Sequence, residues 1–147
     1  MDLASKTTAS QNVVFKIFNQ LFALSIDEVL EILRFQTITP VPGIREHIEG
    51  AINLRGKIIP IVNLYKRFHL EVQEQSGSKK RIIIVEGLGE PIGIMVDEVM
   101  MVTYIEDTNI EKFPSMNVEE DCLKAIAKLD DQVIGILEVK KVLYPEN

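Results

Sequence analysis

A chain of 147 residues has room for one globular domain or two very small ones. Apolar side chains make up 46% of it and charged ones 26%, which excludes collagen-like, coiled-coil and disordered classes and requires a packed core. Sixteen basic against twenty-two acidic residues give a net charge of −6, the wrong sign for neutralising phosphates, so nucleic acid is not an expected partner. The single Cys122 cannot close an intrachain disulfide, and the opening MDLASKTTASQN has neither a basic start nor an apolar run. A cytoplasmic protein without direct membrane insertion is the expectation.

Residues 1–12 are small and polar and predict a flexible arm, with ordered structure from Val13 onward. Val13, Phe15 and Ile17 alternate with Val14, Lys16 and Phe18, and the alternation resumes after Asn19-Gln20 as Phe22, Leu24 and Ile26, a hairpin pattern. Asp27 to Leu33 reads as a short turn entering a strand. Pro40 and Pro42 impose an extended connection. Ile44, His47 and Ile48 share a helical face that stops at Gly50, so a short helix is predicted there. Two apolar arms flank Arg55-Gly56 as a second hairpin, and Pro60 places its strand at an edge or a bulge. Asn63 can cap a short helix through Leu64, Tyr65 and Phe68 before a polar stretch from Gln73 to Lys80.

Arg81 to Val85 is apolar on both faces, as a buried strand must be. A turn through Gly87-Leu88-Gly89 leads to alternation from Ile92 to Val96 and a β-rich run from Val99 to Tyr104. Thr108 to Glu120 is polar and irregular. Leu123–Leu129 and Val133–Val139 then form a last hairpin around Asp130-Asp131, with a helical turn over 140–147.

A shift of 70 residues lays Phe22-Ala-Leu-Ser-Ile-Asp-Glu-Val29 on Ile92-Gly-Ile-Met-Val-Asp-Glu-Val99, and a slightly larger one lays Ile58 to Leu64 on Val133 to Val139. The chain therefore repeats, in halves at about 13–78 and 79–140 within a single domain at 13–147. Each half alone would be marginal, since a domain that small buries only about 60% of its unfolded surface. Two small β-barrels or strongly curved sheets, related by a pseudo-twofold and welded by apolar surface, are predicted, with a groove where they meet.

Catalytic chemistry finds little support. His47 and His69 read as packing or surface residues and Cys122 as a core thiol. Asp27-Glu28 and Asp97-Glu98 are adjacent pairs that point to opposite faces of extended chain and are read as turn formers. Gly87-Leu88-Gly89 precedes a strand, not a helix, so it is no phosphate loop. Lys79-Lys80-Arg81 reads as a solvated loop. No enzyme, metal or cofactor is expected. Arg55 stands out, because a hairpin tip presents its five donors to a partner, and Val29, Glu31, Val99 and Val102 add a mixed apolar and charged surface suited to an interface.

The run Glu46-His-Ile-Glu-Gly-Ala-Ile-Asn-Leu-Arg-Gly-Lys-Ile-Ile-Pro-Ile-Val-Asn-Leu64 resembles the signature of the chemotaxis coupling protein family, CheW. Phe22-Ala-Leu-x-Ile-x-x-Val-x-Glu-Ile32, Thr39-Pro-Val-Pro42 and Ile92-Gly-Ile-x-Val-Asp-x-Val99 extend the likeness over about Val13 to Leu143. The resemblance implies a mainly β fold of two five-stranded Src-homology-3-like barrels with a few short helices. It implies a non-catalytic adaptor between the cytoplasmic tips of methyl-accepting chemotaxis receptors and the regulatory domain of the histidine kinase CheA, monomeric in isolation and recruited to membrane receptor arrays. Partner-binding positions carried over on the motifs are Val29, Glu31, Gly50, Arg55, Val99 and Val102, with Glu31 and Arg55 paired. From the residues alone, a second reading is a small-ligand-binding β protein using the groove between the halves.

Overall fold

The computed structural model describes residues 9–71, 79–111 and 122–145, and within them alternating apolar sequence forms eleven strands. The first half supplies β1 (Ala9–Ile17), β2 (Gln20–Ser25), β3 (Val29–Arg34), β4 (Ile48–Leu54) and β5 (Lys57–Asn63), followed by the helical turn α1 (Leu64–Arg67). The second supplies β6 (Arg81–Glu86), β7 (Pro91–Val96), β8 (Glu98–Glu106), β9 (Ile110–Glu111), β10 (Leu123–Leu129) and β11 (Gln132–Leu137), followed by α2 (Val139–Leu143). They pair into a six-stranded sheet, β8-β1-β2-β11-β10-β9, and a five-stranded sheet, β3-β6-β7-β5-β4. The mainly β architecture is the expected one.

Each sheet draws on both halves of the sequence. β1 and β2 join β8 to β11, whereas β3 to β5 join β6 and β7, so 13–78 and 79–140 are not separate sheets. Only Asp97 lies between β7 and β8 and only Ile26–Glu28 between β2 and β3. Neither link makes a hairpin reversal, and the chain instead steps across to the neighbouring sheet at both places.

The duplication holds down to individual pairs. Val13 opposite Leu24 recurs as Ile83 opposite Ile94, and Glu31 opposite Ile84 as Met101 opposite Val14. Gly50 opposite Ile61 recurs as Ala125 opposite Ile136, and the parallel pair Ile61–Gly93 as Ile136–Ala23. Even the register irregularities coincide, at Ile48/Gly50 and at Leu123/Ala125. Each sheet also uses the same device at its edges. After β3 the chain returns to bridge Thr39 with Ala51 of β4, and after β8 it returns as β9 to pair with β10.

Three apolar clusters follow from this arrangement. Val14, Ala23, Ile105, Ala127 and Ile134 fill the concave side of the six-stranded sheet, and Ile52, Ile59, Ile61, Ile82 and Ile84 that of the five-stranded sheet. Between the sheets lies a larger core that includes Val13, Phe15, Leu24, Val62, Ile83, Val85, Ile94 and Leu137. Odd and even residues of β6 thus enter different cores, which is why Arg81–Val85 has no polar face. The space between the halves, expected to be a groove, is occupied at this contact by fully buried side chains.

Several local expectations change. β1 begins at Ala9, because the long β8 offers ladder partners to Ala9–Asn12 at Thr103–Glu106; residues 1–8 lie outside the described residues. No helix forms over Ile44–Gly50. A turn at Glu46-His47 leads into β4, since Ile48–Leu54 gains a ladder with β5 that a helix would forfeit. Pro60 lies in an interior strand, not an edge, but its position precedes the Ile61–Asn63 stretch that pairs with β7, so its missing N–H is not called on there. Asn63 caps α1 as expected, its Oδ1 accepting from Lys66 N at 3.2 Å. The predicted irregular stretch of 108–120 opens with the turn Asp107–Asn109 and β9, and 112–120 fall outside the described residues, as do 146–147 of the last helical turn.

α2 is anchored by the first half of the chain. Arg67 donates from Nε to Val142 O at 3.0 Å and from Nη2 to Lys141 O at 2.8 Å, a cation at the helix C-terminus where the peptide dipoles favour one. His47 is buried and its Nε2 lies 3.1 Å from Leu143 O, which requires the tautomer with a proton on Nε2. Burial holds the His47 imidazole below its ordinary value of 6.5, the bond to Leu143 opposing and nearby Arg67 and Arg45 reinforcing that shift. In the unfolded chain the group protonates first as pH falls, so the unfolded state binds more protons and stability declines from about pH 6.5 downward. Thermal melts between about pH 8 and pH 5 should show this decline. His47→Gln should flatten its slope.

Candidate contact faces

The Arg55-Gly56 turn of the β4–β5 hairpin has positive φ at both central residues, 51° and 85°, the two-residue geometry that follows strand twist. Glycine accepts this freely, and Asn53 Oδ1 fixes the turn by accepting from Gly56 N at 2.9 Å. Arg55 is thereby held at the tip and swung toward β3. Glu31 on that strand receives Arg55 Nη2 at 2.7 Å and Nη1 at 3.2 Å, a two-bond fork. Because β3 and β4 are opposite edges of the five-stranded sheet, the pair spans the curl of the sheet.

The arginine side chain remains 69% exposed and the glutamate 32%, so solvent has access to the fork. Hydrogen bonding from Arg55 lowers the Glu31 carboxyl, and the same bond raises the guanidinium. An open cavity of about 350 Å³ beside them is lined by Leu30, Leu54, Lys57, Ile59, Ile84 and Pro91. The repeat offers a built-in comparison. Met101 and Asp130 occupy the places of Glu31 and Arg55 in the other sheet, so no equivalent fork can form there.

The other predicted site residues separate into three environments. Val29 and Val99, equivalent by the repeat, are partly buried against the shared core. Val102 is 49% exposed on β8, an edge strand that also exposes Met100, Met101 and Tyr104. Gly50 is buried, away from any open face, and its role is close approach: a Cβ would collide with the Thr39 carbonyl oxygen and crowd Ile38 Cγ2 at 2.9 Å. Of the six, Glu31 and Arg55 are the pair joined by hydrogen bonds and an ion pair.

Sequence reasoning missed Leu30 and Ile32, exposed on β3, and the two methionines of β8. Their signal was available: apolar residues on both alternating sets of a strand at a sheet edge cannot all be buried. It also read Asp97 as a turn former, whereas its carboxylate is a buried hydrogen-bond acceptor. His69 is exposed in the turn after α1 and Cys122 is buried. Lys79 pairs with Glu98 at 3.9 Å and Lys80 lies 5.3 Å over the Phe35 ring, so this basic run is tied to the fold. Among the described residues no three His, Cys, Asp or Glu gather as a metal-binding set, and no helix is long and apolar enough to cross a membrane.

Duplicated sheets around a shared core, with an ion-paired hairpin tip and apolar edge strands open to solvent, define a mainly β scaffold class. The chain belongs to the CheW-like domain family, whose profile matches residues 11–146. It is 32% identical over 143 residues to the chemotaxis protein CheW of Bacillus subtilis, covering 95% of this chain and 90% of that one. The chemotaxis protein CheW of Thermotoga maritima is 33% identical over 129 residues, covering 88% and 84%. The crystal structure of the scaffolding protein TtCheW from Thermoanaerobacter tengcongensis superposes with a TM-score of 0.86 at 38% identity, over 93% of this chain and 94% of that one.

Gly50→Ala tests the close-approach role. It should lower the unfolding free energy by about 1–3 kcal/mol in urea titration by forcing the Thr39 bridge off β4. A variant as stable as the original would require a different reason for glycine there.

Proposed function

We propose that this chain is a non-catalytic adaptor of bacterial chemotaxis. It joins the cytoplasmic tips of methyl-accepting receptors to the regulatory domain of the CheA histidine kinase, and acts in the cytoplasm at receptor arrays. The observation that carries the reading is the Glu31–Arg55 fork at an exposed sheet end, in a chain whose family profile covers residues 11–146. A surface ion pair contributes little to stability in competition with water, so a fork built with this much geometric support is better explained by recognition.

The proposed contact residues are Val29, Glu31, Arg55, Val99 and Val102, with Gly50 acting indirectly by shaping β4. They lie on both sheets. Two partners on different sheets would be held in one frame, and a receptor transition would reach the kinase only through contacts that differ between the receptor's two states. The adaptor itself need not refold.

The test is a binding assay with a CheA regulatory domain and a receptor tip, separately and together. Simultaneous binding of both is expected, and binding of neither would refute the adaptor. Arg55→Ala should weaken partner binding several-fold while shifting the melting temperature by no more than about 2 °C. Equal losses of binding and stability would remove the case for recognition by the fork.

A further inference from the structure

The chain crosses between the sheets twice, and the two crossings are built differently. At the β7–β8 crossing Asp97 is buried, and its Oδ2 accepts from Phe18 N at 2.8 Å and from the Tyr65 hydroxyl at 2.5 Å. Its own N–H donates to Lys16 O at 3.0 Å, and Phe18 N also lies 3.1 Å from the Tyr65 oxygen. Phe18 stands in the β1–β2 turn of the six-stranded sheet, and Tyr65 on α1, directly after β5 of the five-stranded sheet. One carboxylate therefore ties the β1–β2 turn of the six-stranded sheet to α1, which follows β5 of the five-stranded sheet, at the point where the chain passes from one sheet to the other. Burial, reinforced by the bond to Asp97, pushes the Tyr65 phenol up to about 12.

The β2–β3 crossing is the repeat's equivalent, and Asp27 is its equivalent aspartate. That residue is exposed, and the hydrogen bond at this place is local, from Asp27 N to Ser25 Oγ at 3.3 Å. Glu28 Oε1 beside it is buried without a hydrogen-bond partner among the described residues. One crossing is pinned by polar bonds between the sheets, while the other is held by packing and a local cap.

We infer that Asp97, with Tyr65, is a positioning residue that fixes the two sheets relative to one another and so keeps contact faces on different sheets in a single rigid frame. β8, with Val99 and Val102, starts immediately after the pin, whereas the Glu31–Arg55 fork lies on the other sheet. A force applied at one face reaches the other through this link. The consequence for signalling rests on the adaptor reading; the pin itself does not.

Three variants separate the possibilities. Asp97→Asn removes the charged acceptor, Tyr65→Phe removes one bond while keeping the carboxylate, and Asp27→Asn is the internal control. Amide hydrogen exchange read by NMR on the whole chain should show Phe18 exchanging about tenfold faster or more in Asp97→Asn, and faster to a lesser degree in Tyr65→Phe. Ile59 and Ile134, in the cores of the individual sheets, should stay protected, and Asp27→Asn should match the original. With a receptor tip and a CheA kinase present, Tyr65→Phe and folded Asp97→Asn should bind each partner alone as the original does, yet lose about fivefold or more of the receptor's control over kinase activity. If the original chain binds neither partner, the adaptor reading fails and Phe18 exchange alone decides the pin. Unchanged Phe18 exchange in both pin variants, intact coupling with faster exchange, or the same effects from Asp27→Asn would overturn the inference.

Discussion

Burial of β1, β2, β6 and β7 against one another is the constraint on which the rest of this molecule depends. Val13, Phe15, Leu24, Ile83, Val85 and Ile94 are each at most marginally accessible, and each such side chain contributes roughly 1.5–3 kcal/mol by leaving water. Their other alternating sets, Val14 and Ala23 on one side and Ile82 and Ile84 on the other, fill separate concave cores. Strands that are apolar on both faces have no stable solution as a one-sided sheet. The two sheets must meet, and the strands that carry the proposed contact residues Val29, Glu31, Val99 and Val102 lie at their edges.

Edge position explains where large apolar side chains stay in solvent. β3 and β8 are repeat-equivalent edge strands, each leaving large apolar side chains in solvent, Leu30 and Ile32 on one and Met100, Val102 and Tyr104 on the other. The repeat then diverges where charge is concerned. Glu31 and Arg55 form a fork in the five-stranded sheet, whereas the same places hold Met101 and Asp130 in the six-stranded sheet. Similar backbones thus present chemically different ends, a means by which a duplicated scaffold can discriminate between two partners.

Among the described residues four polar side chains are buried; Asn12 bonds locally to Ser10, while His47, Asn63 and Asp97 join separate segments. His47 ties β4 to α2 through Leu143, and Asp97 ties the β1–β2 turn to α1. Asn63 both caps α1 and donates from Nδ2 to Glu49 Oε1 at 2.9 Å, so a residue at the end of β5 also orders the start of β4. Such bonds add little net free energy, but leaving one unmade in a dry site is expensive, and that asymmetry selects one arrangement of the sheets.

Alternation along Val13–Ile26 and Ile92–Val96, the Arg55-Gly56 turn, the Asn63 cap and the repeat of the Phe22 segment at Ile92 were all legible, because each depends on neighbours within a few residues or on self-similarity of the chain. The CheW-like resemblance and the Glu31–Arg55 candidate followed from the same local motifs. Tertiary structure alone decided that the halves exchange strands, that Ile48–Leu54 is strand and the turn before it no helix, that Gly50 serves a close approach to Thr39, and that Asp97 is buried while its twin Asp27 is exposed. The physical reason is common to these cases. Adjacent residues fix the period and the turn, but which sheet a strand joins, and whether a carboxylate finds a donor there, depends on surfaces contributed by segments far away in sequence.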